Sequence, residues 1–180
     1  MVAFELDLGA GLVLRLAEAR LAEPLAALVA DNRERLDRWE DWAADLSEPE
    51  AARRMLLAVG TGFAAGTAVP AVPVVDGRLA GFANLRVDPG ARSASVGYWI
   101  GAAFGGRGLM TRTVTALARY GFDHLGLVRV SATVAVGNTA SQAVVRRAGF
   151  RREAVLRSGQ VVHGRAVDAE VWSRLPGDPA

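Results

Sequence analysis

The chain has 180 residues, of which 51% are hydrophobic and 22% charged, so it is long enough to bury one sizeable core and short enough to form a single domain over residues 1–180. Its formal net charge is only +2 and no long run of like charges is present, which argues against a nucleic-acid partner. The absence of cysteine excludes thiol catalysis, disulfides and thiolate metal sites, and two scattered histidines give no metal-binding cluster.

The first third of the chain alternates between strand-like and helix-like patterns. Residues 12–16 predict a strand, and Pro24 marks the start of a helix with Leu25 and Val29 on its inner side. Three further residues continue an apolar face at helical spacing: Leu36, Trp39 and Trp42. Residues 47–50, Ser-Glu-Pro-Glu, have the pattern of a capping box and predict the start of the next helix.

Residues 55–75 carry no charge over about the length of a membrane span. The glycines and prolines inside this segment indicate instead the end of a buried helix, a loop and a core strand, so no membrane partner is expected. The start of the chain carries Glu5 and Asp7 and lacks a basic stretch followed by an apolar core. No secretory signal is therefore predicted, and a cytoplasmic location follows.

From residue 69 onward the pattern becomes that of strands. Asp76-Gly77 predicts a tight hairpin turn between strands at 72–75 and 79–87, and a third antiparallel strand at 93–100 follows. The later predicted elements are a helix from about 109 to 124 with Gly126 as its stop, a strand over 128–136, a helix over 139–148 that ends at Gly149, and a strand pair over 150–156 and 165–174.

The glycine-rich stretch over residues 98–111 has the order strand, loop, helix start. Glycines let the backbone approach a ligand, and the first free N–H groups of a helix point at any negative group lying there. The order predicts a phosphate or pyrophosphate site, although glycines that merely turn the chain would give the same pattern. Arg107-Gly108 stands where a Walker loop needs Lys-Ser or Lys-Thr, and Thr111 where a dinucleotide fingerprint needs glycine, which disfavours nucleotide hydrolysis and hydride transfer.

Three blocks of sequence resemble the GNAT family of acyl-CoA-dependent N-acyltransferases, and within it the RimJ/RimL-like branch. Residues 96–110 are similar to the family's pyrophosphate loop, residues 138–150 to an Asn, Ser and Gly-Phe segment of the branch, and residues 164–172 to the end of its last hairpin. The resemblance implies an α/β fold with a mixed, mostly antiparallel, twisted sheet of about seven strands flanked by helices. In that fold the fourth strand, here 93–100, splays from the fifth, here 128–136.

The resemblance also implies acetyl-CoA as cosubstrate, without a metal, with the pantetheine arm held in the gap like an extra strand. Gly105 replaces the usual Gln or Arg of the loop and Met110 its final small residue, so backbone donors are expected to bind the diphosphate. The residues expected to bind the cofactor are Tyr98, Trp99, Ile100, Gly105, Gly106, Arg107, Gly108, Leu109, Met110, Thr111, Asn138, Ser141 and Arg147.

Catalytic roles follow from the same resemblance. A backbone N–H of Trp99 or Ile100, with Ile100 as the leading candidate, is expected to stabilise the oxyanion that forms when an amine attacks the thioester. Asn138 is expected to orient the cofactor arm, with a simple helix N-cap as the alternative. Ser141 follows one helical turn later, where its hydroxyl would protonate the departing thiolate.

The sequence does not identify which residue acts as the general base for the attacking amine. Relatives carry a glutamate on the fourth strand or in the last hairpin, where this chain has Ser95 and Gln160. Glu40 or Asp41 is the candidate base, directly or through water, with a solvated acidic face as the alternative. An α-amine has a pKa near ~8, so part of it is neutral at working pH without any base.

Trp39, Trp42 and Trp99 are candidate walls of an acceptor pocket, although aromatic residues at helical spacing also pack in cores. The leading hypothesis is an enzyme that moves an acetyl group from acetyl-CoA to a primary amine, on a protein N-terminus or on a small molecule such as an antibiotic or amino acid. The alternative is a catalytically silent acyl-CoA-binding or sensor protein, which the two missing carboxylates favour. A third hypothesis is a homodimer in which the exposed ends of the hairpins pair two chains.

Overall fold

A computed structural model describes residues 4–179 and contains nine strands, six α-helices and two short 3-10 helices in that range. The strands are β1 (Glu5–Asp7), β2 (Leu12–Leu16), β3 (Ala68–Val75), β4 (Arg78–Leu79), β5 (Gly81–Asp88), β6 (Ser93–Ile100), β7 (Arg129–Ala135), β8 (Arg151–Val162) and β9 (Arg165–Arg174). The helices are α1 (Ala22–Asp31), α2 (Arg33–Leu36), α3 (Ala43–Leu46), α4 (Pro49–Ala64), α5 (Leu109–Leu125) and α6 (Thr139–Arg147).

The strands form one mixed sheet in the order β1-β2-β3-β5-β6-β7-β9-β8, with β4 paired to β3. All of these pairs are antiparallel except β6 with β7. The seven predicted strands are present, and the short β1 and β4 are two additional strands that the sequence patterns did not reveal. The predicted α/β fold, a mixed and mostly antiparallel sheet flanked by helices, is confirmed.

Different helices cover the two faces of the sheet. On one face, α5 packs through Val114, Leu117 and Ala118, which are fully buried. On the other face, α1 and α4 pack through Leu25 and Leu56. The amphipathic spacing seen in the sequence therefore directs each helix onto the sheet, as expected for apolar positions that recur three or four residues apart.

The uncharged segment from residue 55 to 75 is divided between two elements. α4 ends at Ala64, and β3 begins at Ala68 and is buried along nearly its whole length between the two helical layers. The prediction of a helix end, a loop and a core strand is confirmed. Within residues 4–179, no helix is both long enough and apolar enough to cross a membrane.

The junction between β6 and β7 positions the candidate site. The two strands pair over only three residues, Ser93–Ser95 with Arg129–Ser131, and then part. β6 nevertheless continues to Ile100, and β5 stays paired with it along its whole length. The predicted splay between these strands is confirmed, and β6 beyond Ser95 has an edge that pairs with no described strand.

The prediction of a continuing helix over residues 36–42 is wrong. α2 and α3 are single turns on either side of this segment, and Trp39 and Trp42 lie in the turns between them. The reason is tertiary packing, because the first ring lies against Gly137 and the second against Trp99. The spacing was helical, but the two indoles are anchored on different parts of the sheet.

The predicted capping box at residues 47–50 is also wrong, although α4 begins at the expected place. The Ser47 hydroxyl donates to the Ala44 carbonyl at 2.6 Å, and Glu48 is an N-cap whose side chain makes no capping bond. Pro49 occupies the first helical position, where its fixed φ suits a helix start.

Candidate active site

The loop between β6 and α5 has a backbone conformation that favours glycine. Gly106 has φ +72° and Gly108 φ +70°, and no atom lies within 4 Å of the position where a Cβ would stand on either residue. Gly108 is the N-cap of α5, and no side chain caps the helix. Because the first N–H groups of a helix have no partner inside it, these groups are available to an anion such as a diphosphate.

The residues around this loop hold its backbone in place. Leu109 and Met110 are buried, so their side chains anchor the helix start while their N–H groups remain at its end. Arg107 is exposed beside them. Gly105 donates its N–H within the preceding turn, and the Thr111 hydroxyl is enclosed by protein without a partner. The loop therefore fits a diphosphate through backbone donors and the charge of one arginine.

The direction of the backbone groups along β6 follows from its pairing with β5. Gly101 donates its N–H to the Ala80 carbonyl at 2.8 Å, so every second residue back along β6, including Trp99, turns its N–H and C=O toward β5. The residues between them turn these groups toward the gap. Ile100, the predicted oxyanion donor, therefore faces the gap, and so does Tyr98.

Two residues at the start of α2 reach the end of β6. The Asn32 side chain is buried and accepts the N–H of Ala102 at 2.6 Å. The Arg35 guanidinium donates to the Ile100 carbonyl, and burial lowers the pKa of this arginine. Sequence reasoning missed both residues, because their contacts join positions 70 and 65 residues apart.

On the face of the sheet covered by α5 and α6, Tyr98 meets Ser141. The Tyr98 hydroxyl lies 2.8 Å from the Ser141 Oγ and 3.0 Å from the carbonyl oxygen of the same residue. Burial raises the pKa of Tyr98 to about 12. Asn138 is indeed the N-cap of α6, because its Oδ1 accepts the N–H of Ser141 at 3.1 Å. The cap uses only Oδ1, which leaves the amide nitrogen for a ligand.

The opposite face of the gap carries Glu40. Trp42 packs against Trp99 with ring centroids 6.1 Å apart and donates its indole N–H to the Glu40 carboxyl at 2.7 Å. Burial raises the pKa of Glu40, with this hydrogen bond and the charge of Arg86 acting in the other direction. Arg86 in turn donates to the Ser95 hydroxyl at 3.2 Å. Glu40 in the α2–α3 turn and Ser95, the β6 position where the family resemblance expects glutamate, thus both interact with Arg86.

Asp41, the other candidate base, is engaged elsewhere. Its carboxylate accepts the backbone N–H of His163 at 2.6 Å and lies 3.5 Å from the Nδ1 of that residue. The other ring nitrogen of His163 bonds to the Asp37 carbonyl, and this bond is the main cause of the raised pKa of His163. Asp41 therefore ties the β8–β9 turn to the α2–α3 turn.

A cavity of about 410 Å³ lies beside this contact. Its lining combines apolar side chains with two arginines and a histidine, namely Arg38, Trp39, Val162, His163, Arg165 and Val167. The Trp39 ring also lies against Gly137, where an added Cβ would come within 3.1 Å of it. Trp39 on the β7 side and the Trp42–Trp99 pair on the β6 side therefore flank the gap.

Three other polar residues take structural or peripheral places. The Oε1 atom of Gln160, in β8, is buried and has no hydrogen-bond partner among the described residues. Asp168 accepts the N–H of Ser158 at 2.9 Å and holds the hairpin. Arg147 is exposed at the last residue of α6. Among residues 4–179, no group of three or more histidine and carboxylate side chains is placed to hold a metal ion.

Comparison with known proteins identifies the family. Residues 11–151 match the acetyltransferase (GNAT) domain. The chain belongs to the GNAT family. It is 35% identical over 166 residues to the "Putative ribosomal N-acetyltransferase YdaF" of Bacillus subtilis (strain 168), and the match covers 91% of each chain. It is 23% identical over 154 residues to the ribosomal-protein-serine acetyltransferase of Escherichia coli (strain K12), which covers 85% of this chain and 86% of that protein.

A solved structure gives the same answer. RimL, a ribosomal L7/L12 alpha-N-protein acetyltransferase in complex with coenzyme A, superposes on this GNAT protein with a TM-score of 0.89 at 25% identity, over 95% of this chain and 97% of that one. The protein is an acetyl-CoA-dependent N-acetyltransferase, as predicted. The loop geometry agrees with this assignment, because its free N–H groups suit the diphosphate of the cosubstrate.

Proposed function

We propose that this GNAT enzyme transfers the acetyl group of acetyl-CoA to the α-amino group at the N-terminus of a protein, in the cytoplasm. The observation that carries the proposal is the gap between β6 and β7, which has the glycine loop at the end of β6 and an acceptor-side cavity beside the β8–β9 turn. The names of YdaF and RimL support a protein acceptor.

For donor binding, we propose that the N–H groups from Gly106 to Thr111 bind the diphosphate of acetyl-CoA, with Arg107 adding charge. The pantetheine amides then pair with the free edge of β6, which supplies N–H and C=O groups at Tyr98 and Ile100. Arg35 must yield the Ile100 carbonyl if a pantetheine N–H is to use it. Asn138 can orient the same arm through its amide nitrogen.

For the chemical step, a neutral amine attacks the thioester carbon, and the carbonyl oxygen becomes negative. The Ile100 N–H, which faces the gap, stabilises this oxyanion. The sulfur leaves as a thiolate on the α6 face of the sheet, where Ser141 lies. The acceptor approaches from the opposite face, past Trp99.

Glu40 is the base that the structure favours for the attacking amine, directly or through a water molecule. Its burial raises its pKa and so brings its proton affinity closer to that of an α-amine, whose pKa is near ~8. Asp41 is less suitable because His163 already occupies its carboxylate. The proposed reaction therefore has its base and its leaving group on opposite faces of one gap.

The experiment that tests this function measures free thiol released from acetyl-CoA with matched acceptors. Each peptide is offered with a free N-terminus and with a blocked N-terminus that retains a lysine side chain, and a second panel contains aminoglycosides and free amino acids. We expect turnover with free N-termini only. Turnover limited to the second panel would refute the acceptor class.

A catalytically silent acyl-CoA-binding protein, the alternative that neutral Ser95 and Gln160 suggest, is inconsistent with the assignment of this chain as an N-acetyltransferase. Glu40 is the carboxyl that we propose in place of the two missing ones.

We also propose a homodimer that forms through β8. This strand lies at the edge of the sheet and exposes apolar side chains, among them Val155, Leu156 and Val161. Exposed strand edges and apolar patches favour association between chains. Sedimentation should show a dimer that Val161→Arg dissociates, whereas a monomeric wild type would refute this assembly.

A further inference from the structure

Tyr98 and Ser141 connect the two sides of the gap on the α6 face. Tyr98 belongs to β6, where the strand has already parted from β7, and Ser141 lies in the first turn of the helix that follows β7. Their side chains are 2.8 Å apart, and the phenol oxygen is 3.0 Å from the Ser141 carbonyl oxygen. The proposed mechanism releases the sulfur of coenzyme A on this same face of the sheet.

The phenol has one proton and two acceptors on the same partner residue. If Tyr98 donates to the Ser141 carbonyl, the Ser141 hydroxyl can donate to the phenol oxygen. The hydroxyl proton of Ser141 then points toward Tyr98 and away from a ligand. If Tyr98 donates to the Ser141 Oγ instead, the Ser141 O–H is free to donate a hydrogen bond to another acceptor. A hydroxyl that receives one hydrogen bond is a better donor in the next.

Proton affinities decide whether this pair can act as an acid. The pKa of a free thiol is about 8.5, whereas burial raises the pKa of Tyr98 to about 12. Transfer of the phenol proton to a departing thiolate would therefore be unfavourable by roughly 3,000-fold, which is the ratio that this pKa difference gives. A hydrogen bond from Ser141 to the sulfur needs no such transfer.

We propose that Tyr98 is a positioning residue that turns the Ser141 hydroxyl toward the leaving sulfur, so that Ser141 stabilises the thiolate as a hydrogen-bond donor and keeps its proton. The inference rests on the proposed function, in which the sulfur departs next to Ser141. In each turnover Tyr98 changes its acceptor from the Ser141 carbonyl to the Ser141 Oγ, and both hydroxyls end with the protons they began with. The thiolate takes its proton from water after release.

The test is a double-mutant cycle on kcat with Tyr98→Phe, Ser141→Ala and the double variant, using the peptide acceptor that the wild type acetylates. We expect each single variant to lose about tenfold or more in kcat, and the double variant to lose no more than Ser141→Ala does, because Tyr98 acts through Ser141. Tyr120→Phe is the matched control, since Tyr120 packs against Phe4 and His124 away from the gap, and it should leave kcat unchanged.

Two readouts separate this role from a structural brace and from an acid. Multiplicative losses in the double variant, or an unchanged kcat in Tyr98→Phe, would overturn the proposal. The dependence of kcat on pH should have the same basic limb in wild type and in Tyr98→Phe, whereas a basic limb present only in the wild type would show proton transfer and overturn it too.

Failure of the proposed function has a different signature. If Ser141→Ala keeps full kcat while wild-type turnover on peptides persists, the inference fails and N-terminal acetylation stands. If the wild type binds coenzyme A in calorimetry but acetylates no peptide, the proposed acceptor class is wrong, and this inference is overturned with it.

Discussion

Gly106→Ala is the sharpest perturbation of the proposed diphosphate site. Gly106 has φ +72°, and an L-residue in that region costs about 1–2 kcal/mol of folding free energy. No atom lies within 4 Å of the added Cβ, so no clash adds to this cost. For a domain of this size, a loss of about 1–2 kcal/mol lowers the Tm by roughly 2–8 °C.

The same substitution should damage cofactor binding far more than stability. The methyl group projects into the space beside the loop, and relief of the backbone strain rotates an N–H away from the phosphate. Loss of one hydrogen bond to a charged group costs about 1.5–3 kcal/mol, which weakens the affinity for coenzyme A by roughly 10- to 150-fold. Isothermal titration calorimetry measures this change directly, and pantetheine, which lacks the diphosphate, should bind Gly106→Ala and wild type equally.

Gly66→Ala supplies the matched control. Gly66 follows α4, away from the site, with the same φ of +72° and the same open space around a Cβ. It should lose the same Tm as Gly106→Ala and retain full affinity for coenzyme A. If the two variants bind coenzyme A within twofold of each other, the diphosphate does not lie on this loop, and the assignment of the donor site is wrong.

Three further predictions concern two carboxyl groups, those of Glu40 and Glu153, and one close backbone contact. Glu40→Gln should lower kcat/KM for the acceptor by about 10²- to 10⁴-fold. Because the pKa of Glu40 is raised, the wild-type rate should increase with pH above the range in which ordinary carboxyl groups ionise. A pH profile of kcat/KM should show this increase in the wild type and not in Glu40→Gln. Hydrogen bonds, chiefly from Arg129, lower the pKa of Glu153 from 4.5 to about 2. The contribution of this carboxylate to stability is therefore complete above pH 4.5 and is lost as the pH falls toward 2. The free energy of unfolding of Glu153→Gln, measured in urea, should lack this pH dependence. Gly81→Ala places a Cβ 2.3 Å from the Trp99 carbonyl oxygen and should cost about 1–3 kcal/mol in chemical denaturation, while an unchanged midpoint would contradict the close approach.

The sequence predicted the parts of the site that local rules determine. The glycines at 106 and 108 and the helix that follows could be recognised because left-handed backbone and free helix N–H groups depend on neighbouring residues only. The gap between β6 and β7 was anticipated through family resemblance, since nothing local in Ser93–Ile100 tells where its partner strand departs.

The acceptor side depended on contacts that sequence spacing does not encode. Trp39 and Trp42 have helical spacing, yet Gly137 and Trp99 hold them in turns. The raised pKa of Glu40 likewise arises from burial created by several separate segments.

The predicted end of β8 at residue 156 was too early for a local reason. The observed strand continues to Val162, but its register shifts between Leu156 and Gln160, and Ser158 has φ +52°. A bulge of this kind interrupts the alternation from which strands are predicted.

The three residue pairs that join β6 to β7 also bear on the order of events in catalysis. They are the strand pairing that connects a six-stranded half-sheet, β1 to β6, with a three-stranded half-sheet, β7 to β9. The proposed acceptor cavity is lined by the β8–β9 hairpin and by Arg38 and Trp39 of the α2–α3 turn, which packs through Trp42 on Trp99 of β6. Acetyl-CoA bound along β6 would make the junction between β6 and β7 more rigid and fix the width of the cavity. Steady-state kinetics should therefore be sequential and ordered, with acetyl-CoA entering first and coenzyme A leaving last.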